Sequence, residues 1–381
     1  MKNLSILSCL LSLILCGCIT EYEAKRIDEV MDILVVEGVI TDNETVITLS
    51  RSVNLSEESS FSASVDNAVV FVECDNGTQW QAEPNNFKGR YIIKMGQLDL
   101  DSKYRLKIEI EESDRNHDSY ATTKRYEYYS AFSYPVKTPE IDSIFWRKRG
   151  NGQPVRLYVA THEPEQKVAY FRWSYREDWE VHAHIQAVGF PYYCWSSSNN
   201  SDLLLGSTEK TVYGQLADIL IEIAPSDVRL SKLYRIIVKQ NVVSKRAHDY
   251  YTNIRKNSQL NGSIFAPTPS ELRGNITCIT DPGRPVIGYV EASTSIQKQL
   301  FIPYNIVLYE PVPIFNSCNE FTFFELASYL QIEDVREWTP EQSGYIQHRP
   351  GFYAHPLCVD CTLSGNTTQK PNDWPNNYYN Q

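Results

Sequence analysis

Apolar residues recur at every second position through much of the chain, the period that places β-strand side chains on one face. Ile33-Leu-Val-Val-Glu-Gly-Val-Ile40 is a β-branched run, and Thr45-Val-Ile-Thr-Leu49 alternates behind it. After a polar, serine-rich loop from Ser56 to Ser64, Ala68-Val-Val-Phe-Val-Glu73 predicts another strand. Asp75-Asn-Gly77 predicts a hairpin turn, because Asn and Gly tolerate positive φ. Gly89-Arg-Tyr-Ile-Ile93 reads as a strand, and Leu106, Ile108 and Ile110 alternate after Tyr104. Glu111 to Lys124 is hydrophilic and reads as turn, with a return strand starting at Tyr126.

Leu98 followed by Tyr104 and then by that alternation has the spacing of the tyrosine corner of immunoglobulin-like and fibronectin-like sandwiches. There the Tyr hydroxyl bonds the backbone of the preceding loop. Pro135-Val-Lys-Thr-Pro139 is the expected domain junction, with a proline at each end. Beyond it, Ile141 to Trp146, Val155 to Val159, Ala169 to Tyr175 and Trp179 to Ile185 predict more strands. Tyr234 to Val238 and Val286 to Ala292 continue the series. Helical spacing is brief: Ser244 caps a segment whose Ala247, Tyr250, Tyr251 and Ile254 share a face, and Phe321 to Leu330 is a second candidate. The expectation is a mainly β protein: an immunoglobulin/fibronectin-like β-sandwich over 32–136, then a larger β-rich domain over 137–357 with one or two short helices. Residues 358–381, rich in Pro, Asn and Tyr, are expected to form an irregular, cysteine-containing tail.

The amino terminus departs from this pattern. Lys2 precedes an apolar stretch from Leu4 to Ile14, too short to span a bilayer but suited to a secretory signal. Leu15-Cys16-Gly17-Cys18 resembles a bacterial lipobox, so residues 1–17 read as a lipoprotein signal peptide and Cys18 as the lipidated residue. Residues 18–31 are polar and read as a tether, and several acyl chains would give a stable membrane anchor. Ile19 stands where an inner-membrane retention signal would have Asp, which directs the expectation to the outer membrane, with the cell surface as the expected face. The net charge of −11, without a Lys/Arg stripe, excludes nucleic acid as a partner class.

Nine cysteines become six once Cys9, Cys16 and Cys18 are set aside: Cys74, Cys194, Cys278, Cys318, Cys358 and Cys361. An even count in an exported chain points to disulfides, whose connectivity the sequence leaves open. His182 and His184 are two apart on an expected strand, with Glu180 in phase, which is the start of a metal site. No further ligand can be placed beside them, so no metal is assigned. Phe190-Pro-Tyr-Tyr-Cys-Trp195 admits two readings. Tyr192, Tyr193 and Trp195 form a contact or stacking platform, or they pack under a long loop whose cysteine is stapled. Neither G-x-S-x-G, a cysteine-protease signature nor a glycine-rich phosphate loop occurs, so no catalytic residue, enzymatic activity or cofactor is expected.

Several segments appear together in one order: Val35-Val-Glu-Gly-Val-Ile-Thr41, Tyr170-Phe-Arg-Trp-Ser-Tyr175, Val238-Lys-Gln240 ahead of Ser244, and Gly262-Ser-Ile-Phe265 with Pro267, Pro269 and Gly274-Asn275. Cys358-Val-Asp-Cys-Thr362 with Lys370-Pro371 and Trp374 completes the set. Together they resemble the Bacteroidota surface-lipoprotein family called domain of unknown function 4249, over almost the whole chain after Cys18. The resemblance implies an outer-membrane lipoprotein, often encoded beside a TonB-dependent transporter, that would partner it in capturing or gating an unknown nutrient. It supplies no catalytic residues. A surface adhesin or structural lipoprotein is the alternative expectation, and a glycan or peptide hydrolase a weaker third.

Overall fold

The computed structural model describes residues 33–52, 63–83, 88–114, 122–165, 167–200, 202–260, 274–304 and 318–376. The expected signal, Cys18 and the tether lie outside them. The first strands are β1 (Leu34–Val39), β2 (Glu44–Arg51), β3 (Ala63–Ser64), β4 (Ala68–Cys74), β5 (Gln79–Gln81), β6 (Arg90–Lys94), β7 (Tyr104–Asp114) and β8 (Thr122–Ser130). One sheet joins β1, β2, β3 and β6, and a second runs β8–β7–β4–β5. Their inward residues form a single core, with Leu34, Val36, Ile47 and Leu49 packed with Val70, Val72, Leu106 and Ile108. The turn at 75–77 closes β4 onto β5, with the Cys74 amide donating to the Thr78 carbonyl at 2.8 Å and Gly77 at φ +93°. Tyr104 forms the expected corner: its hydroxyl accepts the Asp99 amide at 2.9 Å.

The two flanks of the hydrophilic stretch read as turn are strand instead, since β7 runs to Asp114 and β8 starts at Thr122, while 115–121 lie outside the described residues. Glu111 opposes Arg125 and Glu112 opposes Lys124. Opposite charges directly across a ladder support strand pairing without any apolar residue.

The second unit comprises β9 (Ile141–Arg147), β10 (Val155–His162), β11 (Tyr170–His182), β12 (Tyr193–Asn199), β13 (Leu204–Ser207), β14 (Gln215–Ile223) and β15 (Leu233–Val243), followed by helix α1 (Lys245–Leu260). The Ser244 hydroxyl caps α1 by accepting the Ala247 amide at 3.1 Å. Ala247, Tyr250 and Tyr251 pack on Tyr170 and Leu205. Strands β16 (Ile276–Cys278), β17 (Val286–Gly288) and β18 (Ser295–Pro303) come next. A β12–β11–β15–β18 sheet, with β13 also on β11, faces a β14–β10–β9 sheet across a core of Phe171, Trp173, Ile236 and Val238 with Leu157, Val159 and Ile223. Inside that core Gln240 is fully buried and satisfied. It accepts from the Trp173 indole at 2.8 Å and donates to the Pro139 carbonyl at 2.9 Å and the Thr161 hydroxyl at 3.1 Å.

β11 is one strand of 13 residues, where the sequence suggested two with a charged gap between them. The gap closes because its charges are compensated. Glu177 accepts from Arg229 at 2.8 Å and from the Tyr234 hydroxyl at 2.7 Å, and Asp178 accepts from Arg235 at 2.7 Å.

The chain also returns across the boundary expected at 136/137. β17 pairs in parallel with β1, Leu34 opposite Val286, and β16 pairs with β8, Ile276 opposite Ser130. Ile276, Cys278, Val290 and Ala292 belong to the first core. This segment covers a β1 edge that would otherwise expose its amides and carbonyls. The linker is clamped as well: the Val136 amide donates to the Ala292 carbonyl at 3.2 Å, and Thr138 donates to the Thr294 carbonyl at 2.6 Å.

The carboxy-terminal part holds β19 (Phe321–Thr322), α2 (Phe323–Tyr329), β20 (Ile346–Arg349), β21 (Phe352–Ala354) and a single-turn α3 (Pro356–Val359). The stretch after Pro350 is thus more regular than its composition suggests. Disulfides join Cys194 to Cys361 and Cys318 to Cys358. The expected candidates Cys74 and Cys278 are not paired and remain buried thiols. They occupy β4 and β16, with β7 and β8 between them. Three strand spacings of about 4.8 Å put them well beyond the roughly 7 Å Cα separation a disulfide tolerates.

Candidate functional site

The face of the β11–β15–β18 sheet turned away from its core is polar. Alternation places Arg172, Ser174, Arg176 and Asp178 of β11 there, beside Asn241, Lys239, Ile237 and Arg235 of β15. Gln297 and Gln299 of β18 continue the rows. This face floors an open trough. One end, a cavity of about 660 Å³, is bounded by residues 367–373 of the tail. The other, also about 660 Å³, is bounded by Glu37, Glu44 and Thr48 of the first sandwich and by Arg90. Arg176, Ile237 and Gln297 line both, so the two cavities adjoin along the sheet. Their size falls within the range of small-molecule sites.

At the tail end, ionic and aromatic contacts hold the wall in place. Arg235 donates through Nε and Nη2 to Asp178 Oδ2 at 3.0 and 2.7 Å, and through Nη1 to the Asn372 carbonyl at 2.9 Å. Its guanidinium lies 5.6 Å from the Phe301 ring centre and 5.4 Å from that of Trp374. The Trp374 indole donates to Glu180 at 3.2 Å, and the Trp195 and Thr367 backbones exchange two hydrogen bonds. Trp195 lines the trough, and its indole nitrogen is buried without a hydrogen-bond partner among the described residues.

At the sandwich end the floor carries Lys239. Burial pushes its ammonium below the usual lysine range, against the opposing fields of Glu44 and Asp42. Its one hydrogen bond among the described residues reaches the Thr41 hydroxyl at 3.4 Å. Arg172 beside it donates to the Tyr251 hydroxyl at 3.1 Å and stacks on that ring.

The aromatic cluster divides between its two sequence readings. Trp195 lines the trough, whereas Tyr192 packs on the Cys194–Cys361 disulfide and Tyr193 is half exposed on the strand edge. Both tyrosine rings contact His182, at 5.1 and 4.8 Å between centroids. His182 and His184 do not share a strand face, because β11 ends at His182 and His184 lies exposed in the bend beyond. The His182 ring engages Glu180 at 2.6 Å. Among the described residues no cluster of three His, Cys, Asp or Glu side chains is arranged to hold a metal. The sequence reading passed over Lys239, Arg235 and Asp178. For Arg235 and Lys239 the signal was charge on one face of an otherwise apolar run, Tyr234-Arg-Ile-Ile-Val-Lys-Gln240, while Asp178 stands in the charged stretch Arg176-Glu-Asp178 and carried none.

A family model described as a domain of unknown function, DUF4249, matches residues 19–299. No curated protein matches the chain. Among solved structures, a two-domain fibronectin type-III segment from chicken tenascin is similar, with 12% identity and a TM-score of 0.15 over 55% of this chain and 89% of that one. So low a score carries no structural argument.

Proposed function

The chain belongs to the DUF4249 family, and on that premise we propose that it is an outer-membrane-anchored accessory lipoprotein. It binds a small polar nutrient and presents it to a TonB-dependent transporter. The observation that carries the reading is the trough, an open polar groove along the β11–β15–β18 face that is bounded at one end by the first sandwich and at the other by a disulfide-tied tail. Binding sites concentrate at such junctions, where rigid elements fix a few convergent polar groups. The lipobox at Cys18 supplies the anchor that would hold the trough near a transporter mouth.

The test is affinity purification of the full-length lipoprotein from solubilised outer membranes. A transporter is expected among the recovered proteins, and its absence would overturn the partnership. Palmitate labelling of the wild type, lost in Cys18→Ala, is the expected result for the anchor. An unlabelled wild type found free in the medium would overturn it.

A further inference from the structure

Lys239 is a largely buried cation on the trough floor with a single long hydrogen bond among the described residues. Its side chain is largely desolvated, yet no acid lies within 4 Å of it among the described residues, and the Thr41 hydroxyl reaches it only at 3.4 Å. Glu44 and Asp42 act on it only from beyond ion-pair distance, and a largely desolvated ammonium without a close counter-ion is costly, a cost that falls when an anion arrives. Register places Ser174 on one side of Lys239 and Gln297 on the other. Arg172 and Arg176 lie two positions to either side of Ser174, and Arg90 lines the same cavity. Glu37 and Glu44, the acids of this lining, are exposed. This lining thus carries four cations against two acids, with Asp42 near Lys239 and Asp178 paired to Arg176 just outside it, in a chain of net charge −11.

Resting on the binding reading above, we propose that this end of the trough receives the oxyanion of a small solute, with Lys239 as its counter-charge. The shared chemistry is a compact group of anionic oxygens, carboxylate or phosphate. A lysine offers a point charge and does not impose the planar fork by which arginine selects between them. Ser174 and Gln297 supply neutral hydrogen-bonding groups to the rest of the solute, and the first sandwich closes the site opposite.

The experiment is calorimetric titration of the detergent-solubilised full-length protein with citrate, inorganic phosphate and the uncharged sugar alcohol mannitol at low salt. Saturable binding of at least one anion and none of mannitol is expected, and the tighter anion identifies the group. Removing a charge-assisted contact lowers affinity by about tenfold or more, so Lys239→Met should do this, with Lys239→Arg recovering part. Should the methionine variant fold poorly, acylation of Lys239 in the wild type, read by mass spectrometry, is expected to slow with the bound anion while Lys103 is unaffected. Absence of anion binding, undiminished binding by a folded Lys239→Met, or unprotected Lys239 would each overturn the proposal. Failure here with a transporter still recovered removes the anion site alone. Anion binding without a recovered transporter leaves the site and removes the partnership.

Discussion

Single side chains explain where polar groups sit in so apolar a framework. Asp178 is fully buried and tolerated because Arg235, itself 4% exposed, grips it through two nitrogens. Breaking such a pair from one side leaves an uncompensated charge, so Arg235→Met should cost about 3 kcal/mol, near the low end because Arg176 still contacts Asp178. Urea unfolding will measure it, and the double variant with Asp178→Leu should regain most of the loss. Tyr104→Phe removes the corner hydrogen bond and should cost about 1 kcal/mol by the same assay. An unchanged midpoint would show that the corner contributes nothing. Burial pushes the phenols of Tyr128 and Tyr175 up to about 12. Their folded-state values lie above the unfolded value near 10, so their effect on stability is nil below about pH 10 and becomes unfavourable as pH rises towards 12. Absorbance at 295 nm should show both still protonated at pH 11 in the folded protein. Ionisation near 10 without unfolding would contradict the assignment.

At the level of elements, local pattern and pairing carried unequal shares. The strands at 33–40, 45–49, 68–73 and 89–93, the turn at Asp75–Gly77, the Ser244 cap and the α1 face were legible, because each depends on side chains a few residues apart, whereas the short β3, inside the segment read as a loop, and β5 were not. The continuity of β11 was not, because Glu177 and Asp178 find their partners on β15 and in the preceding turn, more than fifty residues away. Disulfide pairing was illegible for the same reason. The Cys194–Cys361 bond closes a span of 167 residues and fixes the tail beside β12. Removing it with Cys194→Ser and Cys361→Ser should destabilise this region by roughly 2–4 kcal/mol. Limited proteolysis should then cut within residues 362–376 before any other described part of the chain, and an unaltered cleavage pattern would show that Trp374 and Arg235 hold the tail unaided.

On the scale of the whole molecule, the first sandwich is completed by residues far along the sequence. A fragment ending at Pro135 lacks β16, β17 and the core contributions of Val290 and Ala292. It should therefore fail to give a cooperative unfolding transition, whereas the full chain does. A two-state transition in the isolated fragment would show that the returning segment is dispensable. The same return, with the clamp on Thr138, fixes the second sheet beside the first sandwich and so forms the sandwich end of the trough. Lys239 illustrates the consequence. In sequence it is one charge in an apolar strand, and only the approach of β1 and β2 makes it the desolvated floor of a cavity.

The sequence alone determined the strand-rich class, the tyrosine corner and the family, since each rests on short-range spacing or on the order of local motifs. Tertiary structure alone decided which cysteines pair, which buried charges find partners, which distant strands finish the first sandwich and where the trough opens. Those outcomes depend on meetings between segments tens to hundreds of residues apart, whose geometry follows from the packing of the whole chain.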